Sequence, residues 1–314
     1  GWGSYQILIS LSKSILMFIC SMPLTTVIGK GGFISQEETI TLNVRILSDL
    51  HLEFDDDEYD PGTGDVLILA GDICTAVDIY LNNEQGKKYL KFFKRCADQY
   101  DKVFYTFGNH ESYDFDLAET DIILRQKIDE RISILNNQRE YYNGWWFVGS
   151  TLWTDFGGAN PVIMGECSHY MNDYHTIKMN GISLTTDDTL KAHDESVKYL
   201  KTILPQCNEN TILFTHHAPS MRSVVGLARV TGAEGAYATD LEYLLKENPQ
   251  VKFAFHGHTH RSENYKVGGC TVISNPRGYV NYSENPGYLK ALCFDVDIYT
   301  RTAEELAQAV PTTT

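Results

Sequence analysis

Short runs of consecutive apolar residues alternate along the chain with stretches in which apolar positions recur at helical spacing. Val44-Arg-Ile-Leu-Ser48 predicts a short buried strand, and Asp65-Val-Leu-Ile-Leu-Ala70 a second. Glu84 to Tyr100 has helical spacing, with Tyr89, Leu90, Phe93 and Cys96 on one side. Val103-Phe-Tyr-Thr-Phe107 predicts a third strand, followed by one long helix from Asp116 to Asn136. Trp145 to Trp153 reads as one or two strands, and residues 157–186 as a polar, irregular insert. Thr189 to Leu204 is an amphipathic helix with acidic residues first and lysines later, as the helix dipole favours. Thr211-Ile-Leu-Phe-Thr215 and Val251-Lys-Phe-Ala-Phe255 are further strands, separated by a short helix at 239–248 with Thr239 or Asp240 as N-cap. A hairpin at 264–274 turning at Gly268-Gly269 and a last strand at 291–299 complete the pattern. Continuously apolar strands interleaved with helices imply a helix-covered sheet, and ligands of such sheets collect beyond the carboxyl ends of the strands.

Those ends are where the chemistry lies. The strands run out into Asp49 and His51, Asp72, Asn109 and His110, His216 and His217, and His258 with His260. Imidazole and carboxylate are ligands for divalent ions, and these are more ligands than one ion needs. Shared by two ions with one bridging carboxylate, they would form a clamp suited to in-line displacement at phosphorus. A lone aspartate at a strand end is ordinarily a turn or cap residue, so the weight rests on the ordered recurrence of the pattern.

The 314 residues carry a formal charge of -15, which disfavours non-specific binding to nucleic acid. The seven cysteines are scattered and odd in number, without CxxC spacing, which points to a reducing, cytoplasmic setting rather than a disulfide framework. No run reaches the roughly 20 apolar residues of a membrane span. The nearest, Ile15-Leu-Met-Phe-Ile-Cys20, has the size of a signal-peptide core, which leaves export open. Residues 1–43 are expected to be a leader-like or disordered, non-catalytic extension, 44–300 the catalytic domain and 301–314 a tail. Composition does not fix the oligomeric state.

Asp49-Leu-His51, Gly71-Asp72, Gly108-Asn-His-Glu111, His216 and Gly257-His-Thr-His260 follow in the order of the motifs D-x-H, GD, GNH(D/E), H and GHxH. In this the chain resembles the calcineurin-like metallophosphoesterases, over about residues 44 to 300. Ser48 to Phe54, Thr151 to Phe156, Thr215 to Ser220 and Asn275 to Tyr279 are similar to an uncharacterised bacterial phosphohydrolase branch of that family. The resemblance implies a four-layer α/β/β/α sandwich with mixed sheets, and a dinuclear site that hydrolyses a phosphate ester by a bridging hydroxide. It assigns Asp49, His51 and His260 to one divalent ion, Asn109, His216 and His258 to the other, and Asp72 to both. Manganese is favoured over iron, zinc or nickel. His110 would contact the scissile phosphate or protonate the leaving group, with support from Glu111 or another carboxylate.

Protein phosphatases of the family continue the second motif as GDxVDRG, whereas Ile73-Cys-Thr-Ala76 follows here, and Thr75 stands where purple acid phosphatases carry a tyrosine ligand. A small phosphorylated substrate is therefore expected. A phosphodiesterase acting on cyclic nucleotides or other diesters is the alternative within enzymes, and an inactive metal-binding interaction scaffold the alternative outside them. Candidate substrate contacts are Arg277, whose guanidinium could grip phosphate or simply form a salt bridge, His217 and Arg222. His256 reads as core or as a support for the ligands, Cys74 as a buried small residue, and Asn172-Asp-Tyr174 as surface loop rather than substrate rim.

Overall fold

The structure, a computed structural model, describes residues 41–55, 58–225 and 233–297. The apolar run at 15–20, most of the proposed N-terminal extension and the proposed C-terminal tail lie outside the described residues.

Two sheets carry the fold. The strands are β1 (Thr41–Leu47), β2 (Gly64–Ala70), β3 (Tyr100–Thr106), β4 (Ile132–Ile134), β5 (Gln138–Tyr142), β6 (Trp145–Ser150), β7 (Thr211–Thr215), β8 (Val251–His256), β9 (Glu263–Val267), β10 (Cys270–Ser274) and β11 (Cys293–Asp297). One sheet has the order β11-β1-β2-β3-β4, the other β9-β10-β8-β7-β6-β5. β1 to β4 run parallel with β11 antiparallel at the edge, and β6, β7, β8 and β10 run parallel with β5 and β9 antiparallel. Both sheets are therefore mixed.

Side-chain alternation explains why the strands read as unbroken apolar runs. In β2, Val66 and Ile68 point into a core shared with the other sheet, where Phe147, Ile212, Phe214 and Phe255 meet them. Leu67 and Leu69 point the other way, into a core with Tyr89, Phe93 and Cys96 of the helix at Glu84–Gln99. The second sheet repeats this, with Val148, Leu213 and Ala254 packed on Leu200 and Leu244 of the helices at Thr186–Ile203 and Glu242–Glu247. The layers are thus α/β/β/α. Phe104 stacks on Phe147 across the seam at 4.2 Å. Truncating such a ring to alanine typically costs about 3–5 kcal/mol.

Several elements differ from expectation. The helix expected at 116–136 ends at Lys127; Ile132 and Ile134, two apart and both buried, pair instead as β4 alongside β3. The amphipathic helix begins at Thr186, because Thr185 and Asp188 form a capping box. β5 adds to the expected strands: Gln-Arg-Glu-Tyr-Tyr lacks alternation, and Asn143-Gly144, with φ of 46° and 86°, marks its hairpin. The insert contains a helix at Pro161–Tyr170, capped by the Asn160 side chain. Neither Thr239 nor Asp240 is the N-cap: the Thr239 hydroxyl donates to Asp155 at 3.2 Å, Asp240 accepts from the Glu242 amide at 3.3 Å, and the short helix starts at Glu242 with Leu241 at its N-cap. Among the described residues no helix is long and apolar enough to cross a membrane.

Candidate metal centre

The parallel strands of both sheets end on the same side of the molecule, and the polar motifs leave them there. β1 leads to Asp49 and His51, β2 to Asp72, β3 to Asn109 and His110, β7 to His216 and β8 to His258 and His260. The turns are stitched across strands: the amides of Asp49 and His51 donate to the carbonyls of Gly71 and Asp72, and that of Gly257 to His216. Asp49, His51, Asp72, His258 and His260 all have left-handed backbones, with φ between 46° and 65°. Non-glycine residues adopt that region at a cost of about 1–3 kcal/mol each, and such strain persists where the surroundings over-determine it. The motif glycines are fixed by close approach. A Cβ on Gly108 would lie 2.1 Å from Asp72 Oδ1, and one on Gly257 2.3 Å from Asp49 Oδ2.

These turns gather the side chains into adjoining groups: Asp49, His51 and His260; Asp72, His216 and His258; and, overlapping both, His51, Asp72 and His110. In the first, His260 Nε2 is 3.3 Å from Asp49 Oδ1 and 3.1 Å from His51 Nε2. In the second, His216 Nε2 is 3.0 Å from Asn109 Oδ1 and 3.2 Å from His258 Nδ1. Asp72 Oδ2 lies between the groups, 3.3 Å from His216 Nε2 and 3.8 Å from His51 Nε2. One carboxylate therefore faces both.

Supporting contacts set which atoms face inward. His216 Nδ1 donates to the Ala70 carbonyl at 3.0 Å, which leaves Nε2 to the group. Asn109 Nδ2 donates to Asp173 Oδ1 at 2.8 Å, so its carbonyl oxygen turns toward His216. Asp49 Oδ2 and His258 Nε2 are buried with no hydrogen-bond partner. Burial opposes a charge on His216, yet Asp72 and Asp49 lift its pKa to about 10: the carboxylates draw positive charge to that point. Buried unpartnered polar atoms on these residues, and mixed nitrogen and oxygen donors that attract positive charge, fit a pair of divalent ions.

His110 stands beside this cluster, its ring stacked on Tyr113 at 3.9 Å. Its Nδ1 meets Glu53 Oε1 at 2.9 Å, and its Nε2 lies 3.2 Å from the Tyr279 hydroxyl. Burial works against a charge on His110, but Asp72, Glu53 and Asp173 outweigh it and raise its pKa to about 9. Of the carboxylates that could support it, Glu111 is occupied elsewhere. It accepts from the amides of Asp72, Ile73 and Gly108 and from the Tyr105 hydroxyl, at 2.6–3.1 Å.

A cavity of about 390 Å³ opens over Asp72, Asn109, His110, His258 and His260, walled by Tyr113, Tyr170, Met171, Asn172, Tyr237 and Tyr279. Tyr170, 73% exposed, stands at its edge. The insert thus supplies a rim at 170–172 and, at Asp173, a buried brace, where a surface loop was expected. None of the three candidate substrate contacts lines the cavity. Arg277 donates to Asp55 at 2.5 Å and lies over Tyr59. Arg222 donates to Glu242 at 2.7 Å and to the Lys266 carbonyl. His217 is buried between Trp153 and His258, its pKa pushed down to about 3 by burial and by His216. His256 is buried against Ser223, and Cys74 is buried with its thiol pKa raised by burial. The sequence gives Glu53 and Tyr279 no role and places Asp173 in a surface loop; of the three only Glu53 carries a signal, two residues beyond His51 on the same turn.

The two-sheet sandwich and a carboxylate-linked pair of His/Asp groups define a metallophosphoesterase architecture. The sequence profile of the calcineurin-like phosphoesterases matches residues 42–262, and the chain belongs to that family as a metal-dependent phosphoesterase. An uncharacterised protein of Acanthamoeba polyphaga mimivirus, L509, is 29% identical over 274 residues, which cover 77% of this chain and 93% of that protein. Among solved structures, phosphopantetheinyl hydrolase from Mycobacterium tuberculosis shares the fold with a TM-score of 0.58 at 18% identity, over 76% of this chain and 89% of that one. A dimetal phosphatase from Danio rerio superposes more loosely, with a TM-score of 0.48 at 12% identity, over 82% of this chain and 99% of that one.

Proposed function

We propose that the chain hydrolyses a small phosphate ester at two divalent ions, one held by Asp49, His51 and His260, the other by Asn109, His216 and His258, with Asp72 serving both. The observation that carries this reading is the position of Asp72 Oδ2 between His216 Nε2 and His51 Nε2. Two bound ions supply a water of lowered pKa and neutralise charge on the phosphoryl oxygens. The protein does the rest. Asp173 and Ala70 aim Asn109 and His216, and His110 presents Nε2 to the cavity, where it donates a proton to the leaving oxygen. Manganese is the favoured ion on the carboxylate and amide oxygens of Asp49, Asp72 and Asn109, beside imidazoles that serve iron and zinc equally well. The free thiols of Cys74, Cys96, Cys167, Cys207, Cys270 and Cys293 support a reducing, cytoplasmic setting.

Diester hydrolysis is favoured by one observation: four tyrosines and no lysine or arginine line the cavity among the described residues, which suits a singly charged ester with organic arms. The place of His110 in the cavity wall, hydrogen-bonded at both ring nitrogens, speaks against a pure scaffold. Assay of p-nitrophenyl phosphate and bis-p-nitrophenyl phosphate with Mn²⁺ tests all three readings. Turnover lost on chelation and restored by Mn²⁺ is the expected result. A chain that binds two ions yet turns over neither ester would overturn it.

A further inference from the structure

Glu53 occupies the 3-10 turn at Leu52–Phe54, directly after His51, and is only 13% exposed at its side chain. A single oxygen, Oε1, receives two imidazoles: His51 Nδ1 at 3.0 Å and His110 Nδ1 at 2.9 Å. The two rings meet edge to face at 4.3 Å. With both Nδ1 atoms donating to the same oxygen, both Nε2 atoms are directed away from it. His51 Nε2 turns to His260 and Asp72, and His110 Nε2 to the cavity beside Tyr279. Among the described residues Glu53 is the one carboxylate within ion-pair distance of the His110 ring, and Glu111 is engaged by four donors of its own.

We propose that Glu53 is a positioning residue for the hydrolysis, fixing the proton donor His110 at a set distance from the ion ligand His51 through one shared oxygen. The inference rests on the reading of His110 as proton donor. In that step the oxygen of water forms a bond to phosphorus and the bond from phosphorus to the leaving oxygen breaks. The leaving oxygen keeps the electron pair and takes the proton from His110 Nε2. The proton lost by the water passes to solvent, from which His110 is reprotonated. A residue that only aims this proton matters in proportion to how much the leaving group needs it.

The test compares phenyl phosphate, whose phenolate (pKa roughly 10) needs protonation, with p-nitrophenyl phosphate, whose leaving group is far less basic. Glu53→Gln and His110→Ala are assayed on both esters in the Mn²⁺-loaded full chain, with metal content measured on each variant. Glu53→Gln should lower kcat on phenyl phosphate about 30-fold, a part of the 10²–10⁴ that loss of a general acid costs, with a loss on p-nitrophenyl phosphate at least tenfold smaller. KM and the content of two ions per chain should be retained. Equal losses on both esters, or loss of an ion from Glu53→Gln, would overturn the inference while leaving His110 as donor. If His110→Ala shows no dependence on the leaving group, the reading of His110 falls, and the role of Glu53 falls with it.

Discussion

The parallel strands begin and end in contrasting surroundings. At their amino ends, around Asp98, Arg131 and Asp129, charges meet at the surface with partners of their own: Arg131 pairs with Asp98 at 2.8 Å and with the half-buried Asp129 at 2.7 Å, and Lys94 reaches Asp98 at 3.1 Å. At their carboxyl ends Asp49, His51, Asp72 and His216 are buried, on backbones that mostly bend into the left-handed region. Exposed pairs contribute little to stability, whereas buried ionisable groups are tolerated only where something balances them. The contrast separates a surface that tolerates change from one built around charges the protein itself does not fully balance.

Mutations at the two ends test that contrast. Asp72→Ala removes the carboxylate facing both groups, and elemental analysis should find both ions lost and hydrolysis at background; full activity would break the two-ion reading. Gly108→Ala sets a methyl group 2.1 Å from Asp72 Oδ1, and the displaced carboxylate should cost about 10²-fold in kcat. Asp173→Ala leaves the Asn109 amide free to turn, and titration with Mn²⁺ should show ion binding weakened roughly 10- to 100-fold. Arg131→Ala, at the opposite end, should leave turnover unchanged while lowering the thermal midpoint slightly, because its guanidinium holds Asp129, Asp98 and the Ala97 carbonyl together; a clear loss of turnover would mean that the amino ends also serve the site.

How much of this was legible follows from what each feature depends on. Asp49, Asp72, Asn109, His216 and His258 each follow an apolar run, and a doubly buried strand announces its own end, so the strand ends could be read from one dimension. The partner of His110 could not. Glu111 is its sequence neighbour, whereas Glu53 lies 57 positions away, and the turn geometry brings Glu53 to the ring. Asp173 is 64 positions from Asn109, in an insert whose helix was hidden by weak amphipathicity behind an Asn-Pro start. Arg277 and Arg222 sit on turns that could serve a phosphate equally well. Only the fold shows that Asp55 and Glu242 engage them.

Glu111, with its four donors, has a consequence for how the ions arrive. Because it ties the turn after β2 to the turn after β3 through protein groups alone, Asp72 and Asn109 are spaced by the chain itself. An ion at the positions proposed for it would then meet donors the fold has already set in place, with little of the backbone left to order.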